Sequence, residues 1–60
     1  MTRASAIRAH VAANPNQTGR EIAAALGIDR QTATNHLANM ARHGLLVTQG
    51  SRLERTYALG

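Results

Sequence analysis

Between Thr18 and Gly44 the chain spells out both ends of two consecutive helices and leaves only Gly27-Ile28-Asp29 to join them. Thr18-Gly19-Arg20-Glu21 has capping-box spacing: the Thr18 hydroxyl can accept the Glu21 backbone N–H while the Glu21 carboxylate reaches back to the Thr18 N–H. A helix is therefore expected over about 18–26, with Ile22, Leu26 and the intervening alanines as its buried face. Gly27 supplies the left-handed residue that usually ends a helix. Ile28 can tuck back into the core, and Asp29 caps the next helix with its negative charge at the positive end of the dipole. That helix is expected over about 30–43, stops at Gly44, and buries the stripe Ala33, Leu37, Met40.

The flanking segments complete the pattern. Ala4, Ile7 and Val11 recur at helical spacing, which predicts an amphipathic first helix over about 2–13. Asn14-Pro15-Asn16 stops it, because the residue before proline is pushed out of the helical region. Leu45 to Thr48 reads as a strand, Gln49-Gly50-Ser51 as a turn, and Arg55 to Leu59 as a returning strand, a hairpin over about 45–59. Tyr57 and Leu59 share one face and are expected to pack on the helices. The expected fold is mainly α with a small β-hairpin (α+β), one domain over residues 1–60 with no linker or repeat.

Composition limits what this fold can contain. Of 26 hydrophobic residues 12 are alanine, and Tyr57 is the single aromatic, so short, closely packed helices are favoured and a large β-sandwich is excluded. A chain of this size buries only about 60% of its unfolded surface, and with no cysteine it has neither disulfide nor thiolate metal site to reinforce it. All seven basic residues are arginine, against Glu21, Asp29 and Glu54, a net charge of +4. That balance suggests a polyanionic partner, nucleic acid first and anionic membrane second, although arginine and alanine are also what a GC-rich coding sequence favours. Arg8 and His10 interrupt any signal-peptide core in the first 13 residues. The uncharged apolar run Ile22–Leu26 is far below the ~20 residues of a membrane span. A cytoplasmic location is expected.

The face of the third helix opposite its apolar stripe carries Gln31, Asn35 and Arg42, flanked by Thr32, Ala38 and Asn39. An ordinary solvated face is usually richer in Glu and Lys. Two helices on a tight joint, the second presenting amides and hydroxyls, form a helix-turn-helix in its physical sense. Gln and Asn can bond bidentately to adenine, Arg to guanine, and the Thr methyl can touch that of thymine. Gln31, Thr32, Asn35 and Arg42 are the candidate base contacts, and Arg30 and Thr34, towards the edges, the candidate backbone contacts.

The run Thr18-x-x-Glu21-Ile22-Ala23-x-x-Leu26-Gly27-Ile28-Asp29-x-x-Thr32-Ala33-x-x-His36-Leu37-x-x-Met40, followed by Gly44-Leu45-Leu46 and Arg55-Thr56-Tyr57-Ala58-Leu59, resembles the winged helix-turn-helix of bacterial transcription regulators, including MarR-like and ArsR-like repressors. The resemblance covers almost the whole chain. It implies that the third helix enters the major groove while the hairpin, the wing, lies against backbone or minor groove. By position it implies groove contacts from Gln31, Thr32, Thr34 and Asn35 and wing contacts from Ser51 and Arg52. Arg20, with Thr18 at the adjacent helix N-terminus, would hold a phosphate. The chain departs from the pattern at Asn35, where many relatives carry arginine or lysine, and at Gly19, a poor helix former in the first turn that is open either to close approach of a phosphate or to no role. Family repressors usually add dimerisation helices or a ligand-binding domain; neither is among these 60 residues, so no ligand-sensing mechanism is implied.

Other functions are weaker on the residues. His36 and His43 lie about 10 Å apart along a helix, too far to chelate one ion, and no metal or other cofactor is expected. There is no Cys nucleophile, phosphate-binding Gly-rich loop or close carboxylate pair, so an enzyme is not expected. Arg55 is open to a structural role, pairing with Glu54 or a neighbouring strand residue. The expectation is a sequence-specific double-stranded DNA-binding regulator of bacterial or phage type that acts by occupancy, as repressor or activator, and pairs as a homodimer on adjacent half-sites. Its rivals are a winged-helix protein-contact module and a Z-DNA or RNA binder using the same helix and wing.

Overall fold

A computed structural model describes residues 2–51 and 54–60. Three helices, α1 (Arg3–Ala13), α2 (Gly19–Leu26) and α3 (Arg30–Arg42), pack beside a sheet of β1 (Gln17–Thr18), β2 (Leu46–Gln49) and β3 (Thr56–Leu59). The sheet is antiparallel in the order β1-β3-β2.

Helix ends follow local chemistry. Thr2 caps α1 by accepting the Ser5 N–H at 3.1 Å, so the helix begins at Arg3. The capping box of α2 is complete: Glu21 N–H donates to Thr18 Oγ1 at 3.2 Å and Thr18 N–H to Glu21 Oε1 at 2.9 Å. Thr18 is thus the cap, and the helix proper starts at Gly19. At its other end Gly27 adopts φ 67°, so that its own N–H reaches Ala24 O at 3.3 Å and Ile28 N–H reaches Ala23 O at 3.0 Å, a Schellman closure. Asp29 Oδ2 accepts the N–H groups of Gln31 and Thr32 at 2.9 and 3.3 Å, so the joint between α2 and α3 is bonded on both sides.

The core consists of Ile7, Val11, Ile22, Leu37, Met40, Leu46 and Tyr57, with Ala4, Leu26, Ile28 and Ala41 packed against it. Each helix contributes a narrow stripe. Ala33, Leu37 and Met40 are buried as their spacing requires, whereas in α2 only Ile22 and Ala23 are, and Ala24 and Ala25 face outward.

Three features differ from the sequence expectation. The first is β1. Asn16, at φ 66°, turns the chain after Pro15 so that Gln17 and Thr18 pair with Tyr57 and Thr56, and Asn16 N–H donates to Tyr57 O at 2.9 Å. A two-residue strand has no alternation to reveal it; its pairing with β3 creates it. His10 Nε2 and Gln17 Oε1, 2.7 Å apart, tie it to α1. The second is the wing turn. The ladder continues to the pair Gln49↔Thr56, so Gln49 belongs to β2 and Arg55 precedes β3. Gly50, at φ 88°, starts a longer turn in which a Cβ would lie 2.7 Å from Glu54 O, a contact no side-chain-bearing residue could accept. The third is Leu59. It pairs with Leu46 at the last rung of the ladder and stays 41% exposed, so the hairpin closes the core with Tyr57 and Leu46 instead.

Leu37 is fully buried, so Leu37→Ala should lower the unfolding free energy by about 2–5 kcal/mol, a large part of what so small a domain can have. Asp29→Ala, which leaves two α3 N–H groups without their cap, should cost about 1 kcal/mol. Urea titration followed by circular dichroism checks both; equal losses would contradict this assignment of core and cap.

Candidate nucleic-acid interface

α3 buries one side and shows solvent the other. Gln31, Thr34, Asn35, Ala38, Asn39 and Arg42 are exposed and, at about 100° per residue, follow one another along a single stripe. Thr32 sits at the border, half-buried, in the first turn capped by Asp29. The stripe is ordered by bonds within itself. Gln31 Nε2 donates to Asn35 Oδ1 at 3.1 Å, and the Arg42 guanidinium donates to Asn39 Oδ1. The first of these bonds leaves Gln31 Oε1 as an acceptor and Asn35 Nδ2 as a donor, both facing outward from neighbouring turns. An acceptor beside a donor is the complement of the major-groove edge of adenine, which presents a donor and an acceptor.

The stripe has one basic flank. A cleft of about 410 Å³ opens between α2, α3 and the strand end of the wing. Arg20 lines it from α2, Arg30 and Thr34 from α3, and Arg55 with Glu54 from the segment before β3. Gly19 and Tyr57 also line it, and Thr18 stands at its edge with its hydroxyl donating to Glu21 Oε1 at 3.2 Å. The fold therefore gathers four of the expected backbone contacts, Thr18, Arg20, Arg30 and Thr34, into one concavity beside the amides. Ser51 lies apart in the wing turn, exposed, its carbonyl accepting the Glu54 N–H at 3.1 Å. Arg52 lies outside the described residues.

Arg55 is the arginine of this cleft that the sequence reading left open to a structural pairing. Its place here depends on β3 lying between β1 and β2. No described helix is long and apolar enough to cross a membrane. Among the described residues no group of three or more His, Asp or Glu side chains comes together as a metal site would require.

No curated protein and no solved structure matched the chain. The model of the MarR family matches residues 9–55, from the second half of α1 through the joint and α3 to the wing turn. That span is more than three quarters of the chain and includes the whole of α2 and α3, with the amide stripe and the arginines of its basic flank, but stops short of β3. The chain belongs to the MarR family, whose members are winged-helix transcription regulators.

Proposed function

We propose that the chain is a sequence-specific double-stranded DNA-binding regulator that reads a short major-groove site with α3 and holds the flanking backbone with α2 and the wing. The observation that carries this reading is the paired Gln31–Asn35 amides, exposed on α3 beside an arginine-lined cleft. An α-helix with its side chains is about 10–12 Å across and the major groove about 12 Å wide, so a helix seated in the groove has a backbone strand along each flank. Gln31, Asn35 and Arg42 then meet base edges, with Thr32 at the margin. Arg20, Arg30 and Thr34 meet phosphates, and Thr18 supports them by fixing the start of α2. Ser51 and Arg52 extend the wing contacts.

A single module of this size buries about 600–1,000 Å² of protein surface on DNA, so two copies on adjacent half-sites about 10 bp apart are included in the proposal. Action by occupancy of that site in the cytoplasm, without cofactor or catalysis, is included in the proposal. A protein-contact module is the rival reading, favoured by Leu45, Val47 and Leu59 on the wing, which are 42%, 48% and 41% exposed.

Selection of bound duplexes from a random pool, followed by binding of the winner and a scrambled control at several salt concentrations, tests the reading. The expected outcome is enrichment of a defined site and a log–log salt slope of about −0.9 per phosphate contacted. No enrichment with a flat salt dependence would favour the protein-contact module. On the selected site, Asn35→Ala should lose about 1–3 kcal/mol of discrimination at one base pair. Arg20→Ala should weaken all sequences alike and make the slope shallower by about 1. Identical effects of the two changes on every sequence would refute base readout by Asn35.

A further inference from the structure

We infer that the cleft between α2, α3 and the wing seats one backbone phosphodiester of duplex DNA, that Arg55 is its third positioning arginine, and that Gly19 is its point of closest approach. The inference rests on the DNA-binding reading and names a site within it.

Arg20, Arg30 and Arg55 come from three separate segments, so no local spacing accounts for their convergence; the tertiary fold brings them to one cleft of about 410 Å³. Glu54 is the single acidic residue among the described residues of the lining, against three arginines, which leaves an excess of positive charge there. Arg30 and Thr34 belong both to this cleft and to one flank of the amide stripe. A duplex positioned with Gln31 and Asn35 on its base edges therefore runs one strand over the cleft, and Arg55 approaches that strand from the side opposite α3.

Gly19 supplies an independent argument. A Cβ at this position would stand 3.7 Å from Leu37 Cδ1, 3.7 Å from Thr34 Oγ1 and 3.8 Å from Tyr57 Cε2, all ordinary contacts, so the fold accepts alanine there. Alanine is also the better helix former, and the chain uses it twelve times. The missing methyl instead deepens the floor of the cleft.

The test is fluorescence anisotropy of the whole chain on a duplex selected from the random pool, across several salt concentrations, with Arg8→Gln on α1 as a control of equal charge loss. Arg55→Gln should weaken selected and scrambled duplexes by the same factor and make the salt slope shallower by about 1, clearly more than Arg8→Gln does. Gly19→Ala should melt at the same or a higher temperature yet bind all duplexes more weakly. Arg55→Lys keeps the charge and guards against a folding artefact: it should retain most of the slope while losing part of the affinity. If Arg55→Gln matches Arg8→Gln while the wild type still selects a site, or if Gly19→Ala binds as the wild type does, the inference fails and the DNA-binding reading stands. If the wild type binds no duplex, both fail.

Discussion

Strand β3 is paired along both edges, and its second residue, Tyr57, joins the sheet to the helical core. Its backbone lies opposite Gln17 on one side and Thr48 on the other, and its carbonyl accepts the Asn16 N–H. Its ring is buried among Ile7, Val11, Ile22 and Leu37 and also forms part of the cleft wall. In a core made mostly of short aliphatic chains, one aromatic ring covers an area that alanines cannot. The same residue thus closes the helical layer, anchors the wing and fixes the distance between α2 and the segment carrying Arg55.

On that support α3 separates three tasks by direction. Ala33, Leu37 and Met40 hold it to the core, Arg30 and Thr34 turn toward the cleft, and Gln31 and Asn35 point outward as a bonded pair. The separation makes physical sense for a reader of duplex DNA. Charge–phosphate contacts supply affinity and orientation but no sequence information, whereas amides carry a directional donor–acceptor pattern and little charge. A chain of net charge +4 can therefore hold a polyanion through a few arginines while its outward face remains nearly neutral.

Much of this arrangement is legible in the residues because the interactions that define it span five positions or fewer. The Thr18–Glu21 box, the Gly27 closure and the Asp29 cap each join near neighbours, so both helices and the joint between them could be placed to within a residue or two. The amide stripe follows from helical periodicity alone. Two-residue β1, the exposure of Leu59 and the longer wing turn were not legible, since β1 depends on pairing with a strand far along the chain and the other two on the register between β2 and β3. The outward-facing Ala24 and Ala25 were hidden for a related reason: alanine suits a buried or an exposed helical position equally, and only the neighbours decide.

By itself, then, the sequence determined three helices, the caps of the second and third, the tight joint and the polar face of α3, because capping and periodicity are short-range properties of the chain. Only the tertiary structure decided that Arg20, Arg30 and Arg55 share one cleft and that Gly19 forms its floor. Those relations exist once β3 has paired with β1 and Tyr57 has docked on the helices, and long-range backbone pairing of that kind leaves no periodic trace in the residues it brings together.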